Sequence, residues 1–169
     1  MTEGLFYHDV FTELAREGVR FVVVGGVAVN LQGVPRFTAD LDIAVALDGK
    51  NLLAAGAALT RLGLVPRLPV PVEQLGDEAI VRSWIEERNL QAFTFHDPRT
   101  PLREVDLLLT SPVPWAEIES TADVLEAGGQ RIAVASIETL TRMKSGTGRP
   151  QDASDIAALR VVAEEERKK

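Results

Sequence analysis

The chain has 169 residues, 46% of them hydrophobic and 25% charged, with a net charge of −7 and a pI near 4.9. That length buries a core without covalent staples, and the absence of cysteine excludes disulfides, thiolate metal sites and a cysteine nucleophile. The acidic balance argues against general DNA binding through a basic surface. No apolar run nears the ~20 residues of a membrane span and the start is no signal peptide, so no membrane partner and a cytoplasmic location are expected.

In chain order, residues 5–17 place Leu5, Phe6, Val10, Phe11 and Leu14 at helical spacing, with Gly18 as the stop. The run VRFVVV (19–24) is a buried strand ending at Gly25, and residues 26–33 make one or two helical turns. TADLDIAVAL (38–47) alternates as a strand. Asp48 then caps a helix over 49–62, with Gly63 past its end. Residues 72–89 form a second helix, and LQAFTFHD (90–97) and REVDLLLT (103–110) are strands joined by the turn-prone DPRTP. A helix over 114–123, a short strand RIAVAS (131–136), a helix from Ser136 to about Lys144 and a last helix with Pro150 in its first turn complete the reading. Strands mixed with helices predict an α/β (α+β) domain, a mixed sheet flanked by helices. One domain over 1–169 is expected, with 136–169 as a C-terminal helical subdomain.

Side chains alternate along a strand, so Thr38, Asp40 and Asp42 share one face and Leu41, Ile43 and Val45 the other. Two carboxylates separated by one residue lie roughly 6.5–7 Å apart at Cα and can converge on one hard cation. Asp106 opens a later strand whose opposite face, Val105 and Leu107, is apolar; Glu104 shares its face as a weaker candidate. If that strand lies beside the first, three carboxylates form a two-metal site. A bare Asp-x-Asp on a solvated strand face needs no function, and the two histidines are too few to form a metal site of their own.

Gly25 and Gly26 follow the valine strand at the start of a short helix, where backbone N–H groups approach an anion or simply make a tight turn. The stretch is neither a P-loop nor a dinucleotide fingerprint, because no GK[ST] follows and the third glycine is missing.

Gly-Gly, thirteen residues, Asp-Leu-Asp and a later Val-Asp-Leu strand together resemble the polymerase-β-like nucleotidyltransferase superfamily. Within it the chain is similar to small bacterial members, including toxins of type IV toxin–antitoxin systems. PRFTADLDIAV resembles the family's Arg-x-Thr-x-Asp-hydrophobic-Asp segment, and LTRMKSGTGRPQDASDIAAL its Lys-x-x-x-x-Arg-x-x-Asp-x-x-Asp segment. The resemblance implies a nucleotidyltransferase fold and transfer of a nucleoside monophosphate from an NTP to an RNA end, a protein or a small molecule. It implies Mg²⁺, or Mn²⁺ in its place, on Asp40, Asp42 and Asp106, and Asp106 as activator of the acceptor hydroxyl. Nucleotide contacts would come from Gly25, Gly26, Arg36, Thr38, Lys144 and Arg149, oriented by Asp152 and Asp155, and a cognate antitoxin would be a protein partner. Many relatives carry Gly-Ser where this chain has Gly-Gly, which removes a hydroxyl from the phosphate site.

The residues alone leave other readings open. Lys144, Arg149, Asp152 and Asp155 also suit helix-end electrostatics, and Arg36 also suits pairing with an acid. His8, His96, Arg99 and Arg103 fit solvated positions, and Trp84 and Trp115 fit helix packing. An antitoxin-like binding or regulatory protein with little catalysis, or a phosphohydrolase using the same acids, remains an alternative class.

Overall fold

The computed structural model describes residues 6–169; the predicted helical position of Leu5 lies outside them. Among the described residues the elements are α1 (His8–Arg16), β1 (Phe21–Val24), α2 (Gly25–Leu31), β2 (Leu41–Val45), α3 (Gly49–Arg61), β3 (Val65–Pro66), a 3₁₀ turn (Val72–Gly76) and α4 (Glu78–Arg88). They continue with β4 (Ala92–His96), β5 (Glu104–Leu108), α5 (Trp115–Thr121), β6 (Asp123–Ala127), β7 (Gln130–Val134), α6 (Ile137–Lys144) and α7 (Pro150–Arg167). The strands form one mixed sheet in the order β3-β4-β5-β2-β1-β7-β6, parallel at β2–β5 and β1–β7 and antiparallel elsewhere. This is the mixed α+β architecture expected. No helix among the described residues is long and apolar enough to cross a membrane.

The predicted caps hold. The Asp48 carboxylate accepts from Asn51 N at the start of α3 and Ser136 Oγ from Thr139 N at the start of α6, while Pro150 occupies the first turn of α7. Three boundaries differ from the sequence reading. The expected helix over 72–89 is broken because Asp77 accepts from Ala79 N and Ile80 N, starting α4 afresh behind a 3₁₀ turn. Asp123, expected to end a helix, instead opens β6, a strand absent from the sequence reading, which pairs with β7 around Gly128 and Gly129, both at positive φ. Leu, Glu and Ala favour a helix there, but ladder pairing outweighs that weak local preference. β2 starts at Leu41, so Asp40 stands just ahead of the strand.

One sheet face carries Leu41, Ile43, Val105, Leu107, Phe93 and Phe95, all fully buried. Trp84 of α4 stacks on Phe93 at 5.4 Å, and Gly56 lets α3 close on Phe95 and Leu75. Their burial supplies the main drive for this layer, roughly 1.5–3 kcal/mol per large apolar side chain. β4 and β5 alternate buried and half-exposed residues, so their opposite face stays partly open. That second face holds the candidate site.

Candidate functional site

The register of the sheet assembles the carboxylates. Asp42 of β2 is the parallel partner of Asp106 of β5, and Asp106 is the antiparallel partner of Thr94 of β4. Register partners present side chains to one face, so Asp42, Asp106 and Thr94 form a row across three strands. Thr94 Oγ1 donates to Asp106 Oδ1. Burial, the negative field of Asp106, a hydrogen bond with it and then Asp40 push the Asp42 carboxyl up to about 8, while Lys144 pulls it down. Asp40 is exposed one step along; partial burial first, then Glu104 and Asp106, raise its pKa. Among the described residues no three acids or histidines form a complete metal cage by themselves. Asp42 and Asp106 do fit Mg²⁺, which commonly takes one or two carboxylates and completes its shell with phosphate oxygens and water. A crowded, desolvated pair of anions is a place where a cation is favourable.

The glycines stand against this row. Gly25 has φ +68°, and a Cβ there would overlap an Asp42 carboxylate oxygen. A Cβ on Gly26 would lie 2.5 Å from both Arg36 Nη1 and Thr38 Oγ1. The space that a serine would take in a Gly-Ser pair is filled here by a guanidinium and a hydroxyl. Asn30 Nδ2 donates to the carbonyls of Val34 and Arg36, at 2.9 Å each, and pins the loop that carries both side chains.

The C-terminal helices close the site from the other side. Arg36 Nε pairs with Asp155 Oδ1 at 2.8 Å, and Lys144 Nζ lies 2.9 Å from Asp155 Oδ2 and 3.2 Å from Asp152 Oδ1. Asp155 and Lys144 are buried. Arg149, largely exposed, donates from Nε to Asp152 Oδ2 at 2.7 Å, and Thr147 Oγ1 donates to the same oxygen. Burial raises the Asp152 pKa, but the bonds from Thr147, Arg149 and Lys144 together hold it below the ordinary carboxylate value. All eleven residues singled out in the sequence therefore lie in one connected region. Lys144 reaches Asp42 through its field while its ammonium is occupied by two carboxylates.

Sequence reasoning overlooked four contributors. Thr94 is one, and its place between Phe93 and Phe95 in an alternating strand is the signal that sets it on the site face. Tyr7 donates its hydroxyl to the carbonyls of Ala39 and Glu104, tying the approach to β2 to the start of β5. Arg67, placed opposite Thr94 by its N–H to the Thr94 carbonyl, pairs with Glu104. Asn30 pins the loop. Arg103 differs from its expected solvated position: it is buried, donates to both Asp9 oxygens at 2.7 Å and to the Phe6 carbonyl, and belongs to the fold.

No protein-family model matches the chain, and no curated protein matches it. Solved structures do. A lincosamide antibiotic adenylyltransferase, LnuA, bound to lincomycin, superposes with a TM-score of 0.64 at 15% identity, covering 96% of this chain and 98% of that one. ANT(2″)-Ia in complex with adenylyl-2″-tobramycin gives 0.60 at 10% identity, covering 99% and 92%. An antigenic nucleotidyltransferase-like protein from Paracoccidioides brasiliensis gives 0.54 at 17% identity, covering 95% and 75%. At these identities the likeness is one of fold, the nucleotidyltransferase fold.

Proposed function

We propose, from the nucleotidyltransferase fold of this chain, that it transfers a nucleoside monophosphate from an NTP to an acceptor hydroxyl. The observation that carries the reading is the row Asp42–Asp106 with Gly25 pressed against the Asp42 carboxylate. Asp42 and Asp106, with Asp40 alongside, would hold Mg²⁺ (or Mn²⁺); such an ion, when bound, neutralises phosphate charge and lowers the pKa of a coordinated oxygen.

The chain's own residues do the rest. The first N–H groups of α2, at Gly25 and Gly26, have no partner within the helix and start it beside Asp42, where a triphosphate could accept from them. Arg36 and Lys144 add positive field on the same side, each held in place by Asp155. Asp106 receives the proton of the acceptor hydroxyl, and Thr94 holds its other oxygen. The acceptor oxygen then bonds to the α-phosphorus as the bond to the β-phosphate bridge breaks, and pyrophosphate leaves with that electron pair. Positioning and fixed charge supply most of the acceleration.

The test is a transfer assay with each of four α-labelled NTPs, Mg²⁺ and candidate acceptors, with Asp42→Asn and Asp40→Asn as controls. Transfer by the native chain and a loss of ~10²–10³-fold or more in the controls is expected. Metal-dependent nucleotide binding with no transfer to RNA, protein or small molecules would overturn the enzyme reading and favour an antitoxin-like binding or regulatory protein with little catalysis.

A further inference from the structure

The sheet ends differently at its two edges. β3 is two residues long and carries Pro66, which lacks a donor and blunts that edge. β6, with the sequence Asp-Val-Leu-Glu-Ala, forms the other edge with no proline, no lysine and an unbroken register to β7. Its outward main-chain groups follow from the ladder. Ala135 N donates to the Val23 carbonyl at 2.9 Å, so Ala135 turns toward β1 and, by alternation, Val134, Ile132 and Gln130 turn toward β6. Their register partners Asp123, Leu125 and Ala127 turn back to meet them, the last across the two-residue Gly128–Gly129 turn. The N–H and C=O groups of Val124 and Glu126 therefore point off the sheet edge. Among the described residues neither makes a backbone bond outside the ladder. Val124 is 56% exposed, while Leu125 packs half-buried against the core beside its partner Ile132.

We infer that β6 is a self-association edge, and that its occupant is β6 of a second copy of this chain, running antiparallel. The sequence favours that partner in one register. A two-fold axis at Leu125 sets Val124 against the partner's Glu126, and Glu126 against the partner's Val124. Both become hydrogen-bonded pairs, each exchanging two bonds through the outward groups. Leu125 meets the partner's Leu125 as the non-hydrogen-bonded pair between them, about 4.5 Å apart at Cα, where side chains are closest. Ile132, Leu125 and their copies then make one apolar row across four strands. Each acid falls opposite an apolar residue, Asp123 on Ala127 and Glu126 on Val124. A shift by two residues sets Glu126 against Glu126 or Asp123 against Leu125, and halves the bonds made within the strand.

Paired residues share a face, so both candidate sites open on the same side of the doubled sheet. A strand pair of this length belongs with interfaces under about 1,200 Å², which are weak and transient. The charge of −7 on each copy opposes association further, so the dimer forms at high protein concentration and tightens with salt. None of this depends on nucleotidyl transfer.

Sedimentation velocity of the full chain, from micromolar to millimolar protein at low and high salt, should show a monomer–dimer shift that grows with both. Val124→Pro removes one outward N–H per copy while sparing the bonds to β7, and should weaken the dimer at least about tenfold. Val124→Asp sets acids opposite each other; it should weaken the dimer similarly and covers a failure of the proline variant to fold. Cysteine reads the register, since the chain has none of its own. Leu125→Cys should form an inter-chain disulfide in air that reductant reverses, because Cα atoms about 4.5 Å apart suit one. Val124→Cys should not, because its Cα atoms would lie roughly 8–9 Å apart, beyond the ~7 Å limit. A chain that stays monomeric at millimolar concentration would overturn the inference and leave the edge to a strand of another protein. Dimers unaffected by both Val124 variants, or Val124→Cys cross-linking as readily as Leu125→Cys, would overturn it too.

Discussion

Gly25 shows how little freedom single positions have at this site. Its φ of +68° is costly for a side chain, and the Asp42 carboxylate occupies the place of a Cβ. Gly25→Ala should therefore cost about 1–3 kcal/mol in denaturant unfolding and displace Asp42, so that nucleotide affinity falls with stability. Unchanged affinity would show that Asp42 tolerates the shift. Asp42→Asn should behave in the opposite sense. Two adjacent carboxylates in a half-buried row repel each other, and the asparagine amide can donate to Asp106 instead. The metal-free variant at pH ~8 should melt about 2–4 °C higher, the shift that ~1 kcal/mol gives a domain of this size. A lower melting temperature would mean that the row is paired, not crowded. Stability and function are thus opposed at this residue.

Among the elements, α1 is fastened to the β4–β5 turn by Arg103, whose guanidinium meets Asp9, the Phe6 carbonyl and, at 3.5 Å, Asp97. Arg103→Ala should cost about 3 kcal/mol, because it strands a buried network, while Arg103→Lys should recover only part of that. The Arg99 side-chain bond, more than any other cause, holds the Asp97 carboxyl below its ordinary value. Its folded pKa is thus below its unfolded one. The stability it contributes is complete above ~4 and is lost as pH falls through the folded value. Melts across the acid limb should be shallower for Asp97→Asn; an identical limb would exclude this contribution. These networks also mark the limit of the sequence. Caps at Asp48 and Ser136, the Pro150 start and the alternation around Asp42 and Asp106 were legible, since each depends on nearby residues. β3 and β6 were not, because their strand state comes from a partner strand and not from their own composition. Thr94 and Arg67 reach the site by the same lateral pairing, so only their face was readable, and Arg103 owes its burial to an element almost a hundred residues away.

For the whole molecule, the important join lies between the loop before β2 and the C-terminal helix pair. Asp155 is shared by Arg36 from the loop and Lys144 from α6, and Asp152 ties Arg149 to the same cluster. Asp155→Ala should cost ~3 kcal/mol or more, since it leaves two cations facing each other in a buried place. Arg36→Met alone should cost less. The double variant should be less destabilised than the sum of the two, a coupling readable in a double-mutant cycle. Strict additivity would show that the pair is incidental. The order of the sheet has a consequence for how this site comes into being. β2 and β5 are parallel neighbours, yet α3, β3, α4 and β4 lie between them in the chain. Closing so large a loop is slow, and such non-local pairing comes late in folding. On dilution from denaturant, helical signal should return before nucleotide affinity does, because the carboxylate row exists only after β5 has docked. A chain still emerging from the ribosome carries the Asp-Leu-Asp segment for some time before it has a place to put a metal.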